Sequence, residues 1–521
     1  MRMNRPLTSS RSLFVILFIV ALSFLVAYAA ETPAWAQTPQ YGGILRIGYR
    51  TQNLISLGYP PTMTGAQDGY QSEACLDTLF RYDEKLNLVP RLAMDWKVSP
   101  DAKSITLTLR QGVTFHDGSE FNAEVAKWNL ENYMRSPKTE LQTVKSIDVI
   151  DKYTIRLNLS EYDSLLIDML ASDPGRMISK KAYETKGQAW CEKNPVGTGP
   201  FKFVRWEKDV SVKYEKFDQY WEKGKPYLAG LEMVFFADDT TAMMSFKNGE
   251  IDIFYASGQN AKDLAAEGKY QFSFLPFGQQ PFLAGDSLHP DSPFSNIKVR
   301  QAMSYAIDNA AISQALGYGY WVPLNQWASP KSPAYNPNVV GYPYNPEKAK
   351  KLLAEAGYPN GFDTKIYYLV SDASTAQMTA VQGYLTEVGI KAQLEPLQRA
   401  KYHLAATEGG WKNGICGVLT FARPDILFSM KPIITRGSVK YPSMHRPPEY
   451  EELFVQALKA TDVKTKKART QELMKMGTDQ YCMAHWLWVQ TDIMVKQPRV
   501  HNDLFGEVPG WYISPDAWLS K

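Results

Sequence analysis

Six histidines, four cysteines and a few adjacent acids are the residues of this chain that could carry chemistry. No two histidines stand three or four positions apart, the spacing that would set both on one helix face as metal ligands or as an acid–base couple. His116, in the run FHDG, reads as a turn-stabilising or surface residue. Asp238-Asp239 read as a helix cap and not as a carboxylate pair for proton transfer. The sequence has no GxSxG elbow, HExxH, phosphate-binding glycine loop or GxGxxG motif. Cys75, Cys191, Cys416 and Cys482 are widely spaced and form no CxxC pair, which speaks against a structural metal. In an oxidising compartment one or two disulfides are expected, with three possible full pairings. These residues support neither an enzyme nor a bound cofactor or metal. The 30 Tyr and 13 Trp are instead a generous supply for cores and ligand-stacking pockets.

The elements that would position a site start after an export signal. Arg2, Arg5 and Arg11 precede an almost continuous apolar run over residues 12–30. Ala34-Trp35-Ala36 is a small-x-small cleavage site, with Ala27-Tyr28-Ala29 as the nearer alternative. Because the run approaches spanning length, a retained anchor is the competing reading. No cysteine follows it closely, so no lipid attachment is expected. Cleavage removes three arginines and Glu31, taking the formal charge from +3 to about +1, which gives nucleic acid no basic face to bind. About 485 residues remain, enough for two or three domains.

Strand signals lie at residues 44–49 and at 105–109, where Ile105, Leu107 and Leu109 alternate with threonines. Further strands are predicted at 154–159, 201–206, 210–214 and 231–236, the middle pair joined by the charged loop Glu207-Lys208-Asp209. Helices are predicted over Ala123–Met134 with Asn122 as cap, over 240–247 with Asp239 as cap, and over 299–316. Asn248-Gly249 should end the second of these in positive-φ conformations. Asn345-Pro346-Glu347 starts another helix, and strand 365–370, helix 374–388 and strand 391–397 form a βαβ unit with parallel strands. Two more helices are predicted at 450–458 and 464–476.

Several long runs, in order, resemble the periplasmic solute-binding proteins of ABC importers of the dipeptide, oligopeptide and nickel type, family 5. They are LDTLFRYDEKLNLVPRLAMDWKVSPDAKSITLTLRQGVTFHDGSEFNAEV, GTGPFKFVRWEKDVSVKYEKFDQYWEKGKPYL, NGEIDI, NIKVRQAMSYAIDNAAI and YNPEKAKKLLAEAGYPNGF. The resemblance implies an α/β, two-lobed periplasmic-binding-protein fold of the large, cluster C type. One lobe would comprise residues 37–280 and 485–521, with an extra subdomain over about 61–194, and the other residues 281–484. It further implies a monomer without enzymatic activity, capturing a small solute and delivering it to a membrane permease whose ATPase, and not this chain, binds ATP. Trp206, Tyr220 and Trp221 are then expected to pack and not to touch ligand.

The chain departs from the pattern at LTFARPDIL, residues 419–427. Peptide-binding members have an acid-rich loop there whose carboxylate meets the peptide's ammonium. Here Thr420 and Arg423 stand in its place, and Asp425 follows Pro424. A guanidinium facing the cleft would prefer an anion, taken bidentately as a carboxylate; outward orientation, or a pair with Asp425, is the alternative. The expected ligand is therefore an anionic or carboxylated small molecule in place of an ordinary free-amino peptide. Tyr49 and Asn53 after the first strand, Trp411 in GGWKNG, Arg436 and His445 complete the candidate ligand-binding residues, with a packing role open for Tyr49 and Trp411. A nickel-chelate or opine-type receptor remains an alternative, with His445 the histidine that would serve the former, and a secreted hydrolase is the alternative from another class.

Overall fold

The computed structural model describes residues 38–521 except 51–53, 64–65, 276, 436–439 and 510–511; the export signal expected over 1–36 lies outside the described residues. The chain divides into units of residues 1–40 and 41–521, and all described strands and helices belong to the second.

Two large sheets dominate. The first has seven strands in the order Gln271–Leu275, Asp492–Lys496, Ile253–Ala256, Ile44–Arg50, Gly230–Phe236, Ser211–Lys216 and Phe201–Glu207. Its centre is parallel: Ile44–Arg50 runs alongside both Gly230–Phe236 and Ile253–Ala256. The predicted hairpin closes its far edge, Phe201–Glu207 pairing antiparallel with Ser211–Lys216. The second sheet has five strands, in the order Ile390–Leu397, Phe362–Leu369, Ile415–Phe421, Gln279–Gly285 and His485–Trp486. The βαβ unit lies here, with Phe362–Leu369 parallel to Ile390–Leu397 across the helix Asp372–Glu387.

A third, four-stranded antiparallel sheet is built from Ala93–Val98, Ser104–Leu109, Thr154–Leu159 and Val144–Asp151. It packs on the helix Ala123–Met134, whose cap Asn122 accepts from the Val125 N–H at 3.1 Å. This insert has its own core from Leu79 to Met177, with Ile105, Leu107, Ile155 and Leu157 buried as their alternation predicts. His116 fastens the insert to the first sheet: its N–H donates to the Gly197 carbonyl at 2.9 Å and its Nε2 lies 2.9 Å from the Gly199 carbonyl.

Several sequence expectations need correction. The helix after Gly230–Phe236 starts at Asp239, so its cap is Asp238, which accepts from the Thr241 N–H at 2.8 Å. Only Gly249 takes positive φ at its end; Asn248 is right-handed helical. The helix expected over 299–316 is two, Ile297–Ala306 and Asn309–Leu316, because Ile307 turns extended and Asp308 caps the second by accepting from Ala311. The four cysteines form no disulfide; all are free and buried.

The chain passes between the large sheets twice, from Leu275 to Gln279 and from Val489 to Asp492. His485–Trp486 still pairs with the second sheet, so the return falls past residue 489 and not at 485. The crossings touch: the Gln490 N–H donates to the Gln279 carbonyl at 2.8 Å, and a β-carbon on Gly278 would lie 1.8 Å from the Gln490 carbonyl oxygen. No side chain fits between them, which explains glycine at 278.

Candidate functional site

The segment that departs from the peptide-binding pattern follows the strand Ile415–Phe421. It is fixed at both ends by local chemistry. The Ala422 N–H donates to the Gly278 carbonyl at 3.1 Å, tying the segment to the first crossing. Asp425 caps the helix Ile426–Ile434 by accepting from the Leu427 N–H at 2.9 Å. Between these anchors Arg423 is exposed, its guanidinium 5.3 Å above the Phe428 ring. Arg423 has no carboxylate within ion-pair distance among the described residues, so it does not pair with Asp425. The Thr420 hydroxyl is engaged elsewhere, donating to the Gln280 carbonyl at 2.9 Å.

Asp425 has a different partner, Lys466 on the helix Val463–Lys475, whose ammonium also lies 3.3 Å from Asp168 of the insert. Tyr82 donates to Asp168 at 2.7 Å. Burial pulls the Lys466 ammonium down, but the Asp425 and Asp168 carboxylates outweigh it and hold its pKa above the ordinary value. Nearby Lys431 meets Asp163 at 2.5 Å, and the Ser164 N–H donates to the Leu458 carbonyl at 2.7 Å. The insert is thus bonded to three helices of the second-sheet half, independently of the crossings.

At the second crossing stands Asp492. The Tyr255 hydroxyl donates to its Oδ1 at 2.6 Å, and the same oxygen lies 3.4 Å from where a Gly278 β-carbon would be. Burial pushes this carboxyl above the usual carboxylate range, against the stabilising Tyr255 hydrogen bond. Tyr70, on the helix Ala66–Ser72, is within electrostatic reach of both Arg423 and Asp492.

The other predicted residues fall outside this group. Tyr49 is 2 % exposed, its ring 6.4 Å from Phe235 and 6.2 Å from Phe505, because it shares the inward face of its strand with Leu45 and Ile47. Trp411 is buried as well; its N–H donates to the Ser443 hydroxyl at 2.8 Å, which donates back to the Trp411 carbonyl at 2.7 Å. His445 is exposed, its backbone N–H donating to the Ser287 hydroxyl at 2.9 Å. Among the described residues no three His, Cys, Asp or Glu side chains gather as a metal site requires. Asn53 and Arg436 lie outside the described residues. Trp221 donates its indole N–H to Asp77 at 3.0 Å, and Tyr220 is buried. Sequence reasoning missed Asp492, Tyr255 and Tyr70. The available signal was an acid set in the largely apolar run WLWVQTDIMV, at the start of a strand, with Val489 before it and Ile493 after it buried.

Residues 87–422 match the model of the bacterial extracellular solute-binding proteins, family 5 Middle. Over 528 aligned residues the chain is 31% identical to the glutathione-binding protein GsiB of Pectobacterium atrosepticum, covering 96% of this chain and 97% of that one. Among solved structures, HbpA2 from Haemophilus parasuis superposes with a TM-score of 0.82 at 22% identity over 92% of this chain and 100% of its own. AgaA from A. tumefaciens R10, solved with agropinic acid, superposes with a TM-score of 0.71 at 25% identity over 92% of this chain and 99% of its own. These relatives are two-lobed binding proteins, and the two sheets joined by two crossings repeat their plan. No helix among the described residues is long and apolar enough to cross a membrane. The chain belongs to the family 5 extracellular solute-binding proteins, the extracytoplasmic receptors of ABC importers.

Proposed function

We propose that this receptor captures a carboxylated small solute of glutathione or opine type between its two sheet-bearing halves and delivers it to an inner-membrane permease. The observation that carries the reading is Arg423. It is an exposed guanidinium without an acidic partner among the described residues, held at the crossing by the Ala422–Gly278 hydrogen bond where peptide-binding relatives resemble one another in carrying acids. A free fork of N–H donors there recognises a carboxylate in two parallel hydrogen bonds. The names of two similar proteins support the class, since glutathione and agropinic acid both carry carboxylates. Residues 1–36 act as a cleaved export signal in this reading, and the receptor works as a monomer. Rotation about the paired crossings brings Arg423 onto the solute, and the bonds from Lys466 and Lys431 to the insert hold the halves together.

Calorimetric titration of the purified receptor with glutathione, agropinic acid and alanine peptides tests the reading, each peptide as the free acid and as the C-terminal amide. Free acids should bind, amides should bind at least tenfold more weakly, and Arg423→Ala should remove that difference. Equal affinity for acid and amide, unchanged in Arg423→Ala, rules the reading out.

A further inference from the structure

We infer that Asp492 anchors a cationic group of the solute, an ammonium, so that the cleft takes a zwitterion with its carboxylate on Arg423 and its ammonium at the hinge. The assignment rests on the same cleft holding the solute, and adds a second anchor to it.

Other buried acids are answered more fully than Asp492: Asp286, for example, has His289 Nδ1 at 2.7 Å and accepts from the Asn413 N–H at 2.9 Å. Asp77, Asp163, Asp252 and Asp503 are buried, and each has a lysine or arginine nitrogen at 2.5 to 2.6 Å. Asp492 is half-buried and has no cation within ion-pair distance among the described residues; the bond it makes is to the Tyr255 phenol. A carboxylate withdrawn from water without a counter-charge is costly, and a cation brought from outside the chain relieves that cost. Arg423 is not that counter-charge, although both flank Gly278.

The position gives the charge a use. Asp492 begins the strand Asp492–Lys496 directly after the second crossing, and its neighbour Gly278 belongs to the first. It therefore sits where the halves pivot and moves little as they close, while Arg423 lies on the segment leading into the second-half helix Ile426–Ile434. Tyr255 holds one carboxylate oxygen at 2.6 Å, leaving the second for an ammonium N–H. The acid absent from residues 419–427 is in this way replaced from a different strand. An amino-terminal charge is read by the hinge instead of by the loop, which revises the expectation from residues 419–427 that free-amino peptides are disfavoured.

The test uses the full receptor titrated with glutathione and trialanine, each with its α-amino group free and acetylated. The free forms should bind more tightly, and Asp492→Asn should weaken them about 10- to 100-fold, the range of a charge-assisted hydrogen bond, while leaving the acetylated forms unaffected. The melting temperature of the unliganded variant should not fall, which separates lost recognition from lost folding. Tyr255→Phe, which frees the carboxylate without removing it, should show the same selectivity in weaker form. Equal loss for free and acetylated solutes, or no loss, overturns the assignment while the response to Arg423→Ala still reports on the carboxylate. Binding of none of the four solutes by the native receptor overturns both.

Discussion

Two groups of charges in this molecule differ in how completely they are answered. In the insert, Arg91 lies 2.7 Å from Glu73 and 2.5 Å from Asp77, and Arg176 reaches the other oxygen of Glu73 at 2.6 Å. Thr198 and Trp221 donate to the second Asp77 oxygen at 3.0 Å each, and the Tyr512 ring covers the Arg91 guanidinium at 5.1 Å. Every charge has its opposite inside the chain, so the network joins the insert to the GTGP turn and offers nothing to a ligand. At the crossings, Asp492 stands beside Gly278 and Arg423 follows Ala422, which is bonded to the same glycine, and the two are not paired. The difference is one of use: a closed network fixes geometry, and charges left open are available to a solute, as proposed for Arg423 and Asp492.

Breaking the closed network should have the largest effect. Arg91→Met leaves two buried carboxylates uncompensated and should cost about 3–5 kcal/mol of stability, read as a lower urea midpoint at unchanged slope. Next is the bridge from the insert to the second half. Lys466→Met leaves Asp168 and Asp425 facing one another and should cost about 2–3 kcal/mol, with a larger radius of gyration by solution scattering in the presence of solute. A third effect follows from histidines buried in neutral form. Burial holds His116 down to about 4 and His485 down to about 3. Between the ordinary histidine value and these, the unfolded chain binds protons that the native chain does not, so stability falls as pH drops from about 6.5 to 4, by up to about 1.4 kcal/mol per unit for each. His116→Gln should flatten that part of a melting-temperature profile. The smallest stability change, within about 0.5 kcal/mol, is expected for Arg423→Ala, although the proposed function has the same variant losing affinity for a carboxylated solute. A fall in stability comparable to that of Arg91→Met would erase the distinction between the two groups.

What was legible in the sequence was mostly local. Asn122 and Asn345 cap the helices they were expected to cap, because a short polar side chain needs only the N–H groups of the next turn. Parallel pairing followed from an amphipathic helix between two apolar runs. The position of Arg423 came from comparing one segment with a family pattern, and its unpaired state could not be read there, since Lys466, 41 positions past Asp425, takes the acid. Tyr49 could have been placed correctly: the alternation that buries Leu45 and Ile47 includes it. Asp492 was missed because strands were read for their apolar residues, and the polar exception carried the information. The disulfide expectation rested on compartment and parity, while the fold sets the four thiols in separate surroundings. Cys75 lies by His116 and Cys482 by Ser304.

Those thiols bear on what the receptor can carry. Burial pushes Cys75 and Cys416 up to about 12 and Cys191 up to about 11, and raises Cys482 as well. At neutral pH the thiolate fraction of Cys75, Cys191 and Cys416 is on the order of one in ten thousand or less, behind packed side chains. With no disulfide to attack and no accessible sulfur nucleophile, the protein is chemically silent toward sulfur. A cargo bearing a thiol or a disulfide could reside in the cleft and leave unaltered, without forming a mixed disulfide with its carrier.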